Sequence, residues 1–241
     1  MRSDKTLIAT GRNLTFRWGR GDTILDIAEL SLQAGQRTLI LGPSGCGKTT
    51  LLNLLSAINI PTSGSLELLG KKTQEMNGAE RDVFRADHVG YVFQMFNLIS
   101  YLSILENVLL PIRFSKKRNQ RLQAAGSGPR DEALRLLSQL GIDQRHFLKR
   151  SVNQLSVGQQ QRVAAARALI GSPEIIICDE PTSALDDKAQ EAFLGLLFKE
   201  VEESGGSLIF VSHDRALISR FDRIIMLPEI NRALSYERAA I

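Results

Sequence analysis

Three short runs hold the residues best suited to chemistry. Gly42-Pro43-Ser44-Gly45-Cys46-Gly47-Lys48-Thr49, followed by Thr50, fits the pattern GxxxxGK[ST]. Its glycines let backbone N–H groups turn inward around a phosphate, and a helix opening at its end aims a positive pole there. Lys48 brings a charge for β- and γ-phosphates, and Thr49 a hydroxyl for Mg²⁺. The run Ile175-Ile176-Ile177-Cys178-Asp179-Glu180 puts two acids at the end of an apolar strand. Asp179 can hold Mg²⁺ through its waters, and Glu180 can polarise an attacking water as general base. These two runs imply a nucleoside triphosphatase of the phosphate-loop kind and leave kinases and GTPases open. The third run, Leu155-Ser156-Val157-Gly158-Gln159, stands before a helix pattern and upstream of the Asp179 strand. It discriminates among them.

The elements that must carry these runs follow from hydrophobic patterning. Apolar runs predict strands at Arg12–Arg17, Arg37–Leu41, Val89–Phe93, Glu174–Cys178, Ser207–Val211 and Arg223–Leu227. The last four are dense in Val, Ile and Phe, as strands covered on both faces require. Helix patterns follow at Gly47–Ala57, Gln159–Ile170 and Lys188–Glu203. Strands alternating with helices predict an α/β fold with a mostly parallel sheet. From Gln94 to Leu155 the texture changes. Strand-like runs stop, Leu134, Leu137 and Leu140 mark a helical stripe, and Ala124–Pro129 reads as a loop between helices. The chain, 1–241, is therefore expected to be one domain, with an α/β core at 1–94 and 156–241 and an α-helical insert at 95–155.

Composition excludes several classes. At 241 residues, 43% hydrophobic and 23% charged, the chain suits a globular fold rather than disorder. No stretch of about 18 apolar residues is present to span a bilayer, and the N-terminus lacks the pattern of a secretory signal. A cytoplasmic protein is expected. The net charge of +4 is mild and its basic residues are dispersed, which argues against a nucleic-acid partner. The basic run Lys116-Lys117-Arg118 with Arg121 reads as a solvated loop. Cys46 and Cys178 are too few for a disulfide framework, and Cys46 reads as a small spacer, with an oxidisable thiol at a helix N-terminus as the alternative. His88 and His146 have no supporting constellation, so core or surface placement is expected for both.

With these runs in place, the chain resembles the nucleotide-binding subunits of ABC transporters from Asn13 to about Leu227. LSVGQQQR is similar to the family's signature motif, Gln94 after YVF to its glutamine loop, and Ser183-Ala184-Leu185-Asp186 to the loop after the second acidic motif. His213 in FVSHD looks like the switch histidine. The resemblance implies a phosphate-loop core with an N-terminal antiparallel β subdomain, ATP and Mg²⁺ as ligands, and ATP hydrolysis. It implies that Ser156, Gly158 and Gln159 meet the γ-phosphate held by a second copy of the chain. Gln94 would sense metal and water, His213 would contact the γ-phosphate, and Asp186 would link the two sites. Lys48, Gln94, Glu180 and His213 would be catalytic; Thr49, Gln94 and Asp179 would serve the metal. Trp18 falls where the family places an adenine-stacking aromatic. Phe16 competes, and Trp18 is favoured because a strand ending there buries one of the pair and exposes the other. Val157 departs from the family by replacing a glycine, which a helix start with ordinary negative φ tolerates.

The resemblance further implies a head-to-tail homodimer and a membrane permease docking near 95–108, with packing between lobes as the plainer reading of that apolar stretch. The chain would sit peripherally on the cytoplasmic face of the inner membrane. FNLISYLSILENVLLP is similar to subunits serving lipoprotein release, macrolide export and cell division, although Ser100 stands where that group often has proline. An importer subunit, a soluble ATPase acting on nucleic acid, and an inactive nucleotide binder are the alternatives.

Overall fold

Side chains alternating between core and solvent build the first two elements, β1 (Leu7–Arg17) and β2 (Thr23–Gln33). In chain order there follow β3 (Arg37–Leu41), α1 (Lys48–Leu55), β4 (Ser63–Leu68), β5 (Lys71–Lys72), α2 (Gly78–His88) and β6 (Val89–Val92). Next come α3 (Ile104–Phe114), α4 (Lys116–Ala124), α5 (Pro129–Gln139), α6 (Val157–Leu169) and β7 (Ile175–Asp179). The series closes with α7 (Asp187–Ser204), β8 (Ser207–Ser212), β9 (Arg223–Met226) and α8 (Leu227–Ile230). This is a computed structural model describing residues 6–142, 151–183 and 185–234. It forms two compact units, one of residues 1–85 with 207–241 and one of residues 86–206.

In the first unit, β2, β1, β4 and β5 pair antiparallel in that order. Leu14, Phe16, Leu25, Ile27, Leu30 and Leu32 point inward from the β1–β2 hairpin. Beside it, β3 runs parallel to β8 on one edge and to β9 on the other. Leu39, Ile40 and Leu41 are buried on both faces, as the unbroken apolar run predicts. In the second unit β6 pairs parallel with β7, and α3, α5 and α6 pack together. All three isoleucines of β7 are fully buried, each contributing about 1.5–3 kcal/mol through lost apolar exposure. The fold is thus α/β with parallel strands and an antiparallel β subdomain. Among the described residues, no helix is long and apolar enough to cross a membrane.

Each predicted strand and helix appears, with ends shifted by a few residues, and β1 begins at Leu7 rather than Arg12. The inward face of α5 is Ala133, Leu136 and Leu137, with Leu140 beyond its end, while Leu134 is only half-buried. The basic run requires correction, because it is the helix α4, capped by Ser115. Arg118 is 1% exposed, and Arg121 is paired with Glu174. Both reach carbonyl oxygens at the ends of other elements, a use that composition cannot display. His88 is buried beside Glu174, its Nδ1 3.0 Å from a carboxylate oxygen. His146 lies outside the described residues.

Candidate functional site

Within the first unit, the 42–49 loop joins β3 to α1 with backbone that only glycine accepts comfortably. Gly45 and Gly47 have φ of 82° and 98°, and a Cβ on Gly47 would stand 2.8 Å from the Leu25 side chain. A Cβ on Gly42 would meet the Cys46 sulfur at 2.4 Å, so buried Cys46 fills space that a bulkier loop residue would overrun. The Lys48 ammonium folds back on the loop, donating to the Gly42 and Pro43 carbonyls at 2.8 and 2.9 Å. Lys48 is buried while Pro43, Ser44, Gly45 and Thr49 are exposed, and Thr50 is half-buried. This narrow cradle, with a cation beneath it and the start of α1 behind it, fits a phosphate chain.

Strand register carries two further residues to the loop. Leu41, which precedes Gly42, pairs with Ser212, and His213 follows Ser212 directly on the same edge. His213 is exposed there, and the next turn is fixed by Asp214 capping the Ala216 N–H at 2.8 Å. Leu25, which touches the Gly47 position, pairs with Phe16, and Trp18 lies just beyond that pair. Phe16 is 6% exposed and Trp18 56%, their rings meeting edge to face at 4.9 Å. The buried member of the pair is core, and the exposed one is available.

A residue that sequence reading missed is Asn231, in the tail beyond Leu227. It is 1% exposed, and its amide donates to the Ile24 carbonyl at 2.9 Å and to the Cys46 carbonyl at 3.3 Å. Its oxygen accepts from the Asp26 N–H at 2.9 Å. Asn231 therefore ties the phosphate loop to β2. A lone asparagine in a polar tail gives no signal of this, since its partners are backbone groups.

In the second unit the register Val92↔Cys178 sets Gln94 and Asp179 at the same edge of the β6–β7 pair. Asp179 is 7% exposed, whereas Gln94 is open to solvent. Burial, helped by the Asp179 charge, pushes the Tyr91 hydroxyl and the Cys178 thiol well up. The Asp179 carboxylate at this edge suits a hydrated divalent cation. Glu180 has φ of 44°, a left-handed backbone rare for an L residue other than Asn or Asp.

The same unit holds the Leu155–Gln159 run. Ser156 caps α6 with a full capping box: the Gln159 N–H donates to its hydroxyl at 3.3 Å, and the Gln159 side chain accepts the Ser156 N–H at 2.9 Å. Val157 is 50% exposed and neither it nor Gly158 needs positive φ. Among the described residues, and leaving the helix's own backbone aside, the nearest atom to a Cβ placed on Gly158 is the Leu185 methyl, at 4.0 Å. Leu185 thus lies beside the start of α6, and the next residue, Asp186, caps α7 by accepting from the Ala189 N–H at 2.8 Å. Ala184 lies outside the described residues.

Comparison with known proteins bears on these features together. The ABC transporter family profile matches residues 25–183. An ABC transporter ATP-binding protein of Methanocaldococcus jannaschii, MJ0796, is 40% identical over 221 residues, covering 90% of this chain and 92% of the relative. Its dimeric structure in a post-hydrolysis state bound to ADP and Pi superposes with a TM-score of 0.78 at 39% identity, covering 90% of this chain and 93% of that one. The lipoprotein-releasing system ATP-binding protein LolD of Chromohalobacter salexigens is 36% identical, covering 91% of this chain and 89% of its own. The macrolide export ATP-binding/permease protein MacB of Photorhabdus laumondii is 36% identical over 86% of this chain, which spans 30% of that protein.

Proposed function

This chain belongs to the ABC transporter ATP-binding family, and from that premise we propose that two copies close head to tail on ATP and reopen on hydrolysis, driving a membrane permease of the export or mechanotransmission type. As a member of the family it is an ATP-binding subunit and an ATPase. The proposal concerns how that activity is organised.

The observation that carries it is Gly158. A glycine within a helix costs about 0.5–1 kcal/mol relative to alanine, and here no neighbour among the described residues demands it. The helix start it occupies is solvent-facing and amide-rich, which is the chemistry an incoming anion uses. A γ-phosphate presented by a second copy supplies the missing reason for the glycine. Each charge-assisted hydrogen bond contributes about 1.5–3 kcal/mol, and reversing a two-state population needs roughly 5.5 kcal/mol. A few such contacts at each site therefore suffice to close the pair, and their loss on hydrolysis reopens it.

Roles follow from chemistry. The 42–50 segment would hold the phosphates through backbone N–H groups and Lys48. Mg²⁺, when bound, would neutralise phosphate charge, with the Thr49 hydroxyl, Gln94 and Asp179 as its protein partners. Glu180 would accept a proton from water, and His213 would donate to the γ-phosphate. Asp186, capping α7, would link the two sites. Met95 and Tyr101, 81% and 84% exposed, support a docking patch near 95–108 for a short helix of the permease. Through that partner the chain would lie on the cytoplasmic face of the inner membrane. The LolD and MacB relatives support the export or mechanotransmission assignment.

Ser156→Arg is the test of the shared site. Arginine adds bulk and charge where a second copy would approach, so ATPase turnover should vanish while nucleotide binding by the single chain stays intact. Turnover surviving that change would end the composite-site reading. Trp18→Ala should raise the KM for ATP about tenfold with kcat little altered, because base stacking contributes about 1–3 kcal/mol. Steady-state kinetics would check it, and an unchanged KM would remove Trp18 from the adenine site.

A further inference from the structure

The segment after Gln94 is held in an unusual way. Phe96 and Asn97 are consecutive non-glycine residues at φ of 57° and 47°, in the left-handed region. The Phe96 N–H donates to the Phe93 carbonyl at 2.9 Å and the Asn97 N–H to the Met95 carbonyl at 2.6 Å, so the chain doubles back at once. Such backbone persists only where the surroundings over-determine it. Here the carbonyls of Phe96 and Asn97 are both taken by Arg167, whose Nη2 and Nη1 donate at 2.5 and 2.7 Å. Arg167 is 9% exposed, and among the described residues its guanidinium meets carbonyls rather than a carboxylate. Burial lowers its pKa to about 10, which leaves it cationic at neutral pH.

Arg167 lies on α6, the helix that Ser156 caps. The same stretch of helix presses on β6, since a Cβ at Gly90 would stand 2.1 Å from the Ala168 carbonyl oxygen. The strand leading into Gln94 and the turn leaving it are therefore both pinned to α6, at adjacent residues. Farther along, the buried Asn107 amide continues the restraint. It accepts from the Ile99 N–H at 2.8 Å and donates to the Ile99, Leu102 and Ser103 carbonyls at 3.0, 3.3 and 3.1 Å.

We propose that Arg167 is a positioning residue for hydrolysis, holding the Phe96–Asn97 turn in its left-handed form and so making Gln94 and the α6 helix one rigid piece. The functional half of this inference rests on the roles proposed above for Gln94 and Ser156; the tether itself rests on geometry. A displacement at the exposed Met95 or Tyr101 then has a path to α6 through Arg167, beside the one through the Ser151 hydroxyl, which donates to the Ser100 carbonyl at 2.9 Å.

The full chain with Arg167→Met and with Arg167→Lys provides the test, by amide hydrogen exchange and ATPase kinetics. Methionine donates to neither carbonyl, and lysine keeps the charge but lacks the rigid planar fork that holds both. In Arg167→Met the amides of Phe96, Asn97, Ile99 and Leu102 should exchange at least about tenfold faster, with those of β7 unchanged. The kcat should fall about tenfold with KM for ATP held within about twofold. Arg167→Lys should lie between. Exchange rising evenly across α6 and β7, or unchanged at the four amides, overturns the tether. Local loosening with an unaltered kcat overturns the positioning role. If Arg167→Met does not fold, the local exchange of Arg167→Lys decides alone. Gln94→Ala is the control: normal turnover in it would remove Gln94 from the reaction while leaving the exchange result to judge the tether.

Discussion

Glu180→Gln should lower kcat for ATP hydrolysis by about 10²–10⁴-fold, the usual worth of a positioned general base, while ATP affinity stays within a few-fold. Gln has the same shape and cannot accept the proton. The side chain follows Asp179 directly, at the end of a strand whose isoleucines are fully buried, so the substitution should not disturb the fold. The backbone argues in the same direction. Glu180 holds φ of 44°, a conformation costing roughly 1–2 kcal/mol for an L residue. Its carbonyl accepts the Ser183 N–H at 3.3 Å in the turn that follows. Backbone strain kept at a carboxylate beside a buried aspartate is an outlier that motivates a functional reading. Because ATP would bind without being consumed, gel filtration with ATP and Mg²⁺ should resolve an accumulated closed dimer. A variant that hydrolyses ATP at the normal rate would take Glu180 out of the base role.

How much of this was readable beforehand follows from where each signal lives. The phosphate loop announces itself because its chemistry needs glycines at fixed spacing; of these Gly47 sits at φ of 98°, and Gly45 between them at 82°. β7 is legible because a strand covered on both faces must be apolar throughout. β2 was not, because Asp26 and Glu29 interrupt its pattern, and the pairing with β1 decides the matter. α3 carries Pro111 in its interior and starts from a capping box at Ser103 and Glu106, features that pull an apolar reading in opposite directions. Asn231, Asn107 and Arg167 share one reason for being invisible. Each binds backbone carbonyls or N–H groups, far away in sequence for Asn231 and Arg167 and in the turn just before it for Asn107, and backbone groups leave no trace in residue identity. Phe16 and Trp18 show the reverse case, where a period of two suffices to say that one faces in and the other out.

The basic run shows the largest gap between composition and structure, and Arg118→Met should expose it as a loss of about 3–5 kcal/mol of stability, from buried carbonyls left without donors. Arg118 donates to the Ala86 carbonyl at 2.7 Å through Nε and to the Val89 carbonyl at 2.6 Å through Nη2. Its Nη1 reaches the Ile170 carbonyl at 2.9 Å and the Ala168 carbonyl at 3.4 Å. Those last two belong to the C-terminal end of α6, where carbonyls lack helical partners and the dipole favours a cation. Burial, reinforced by the nearby Arg121 charge, lowers its pKa to about 10, so it is still charged at neutral pH. Methionine matches part of the volume and restores no donor, leaving several buried carbonyls unsatisfied at about 1–3 kcal/mol each before water relaxes the site. Against a total folding stability of about 5–15 kcal/mol, such a loss brings the chain close to unfolding. Urea unfolding at constant pH measures it, since a change in stability moves the midpoint with the slope preserved. A midpoint equal to that of the unaltered chain would mean that Arg118 is merely covered, not structural, and that the carbonyls around it find water without cost.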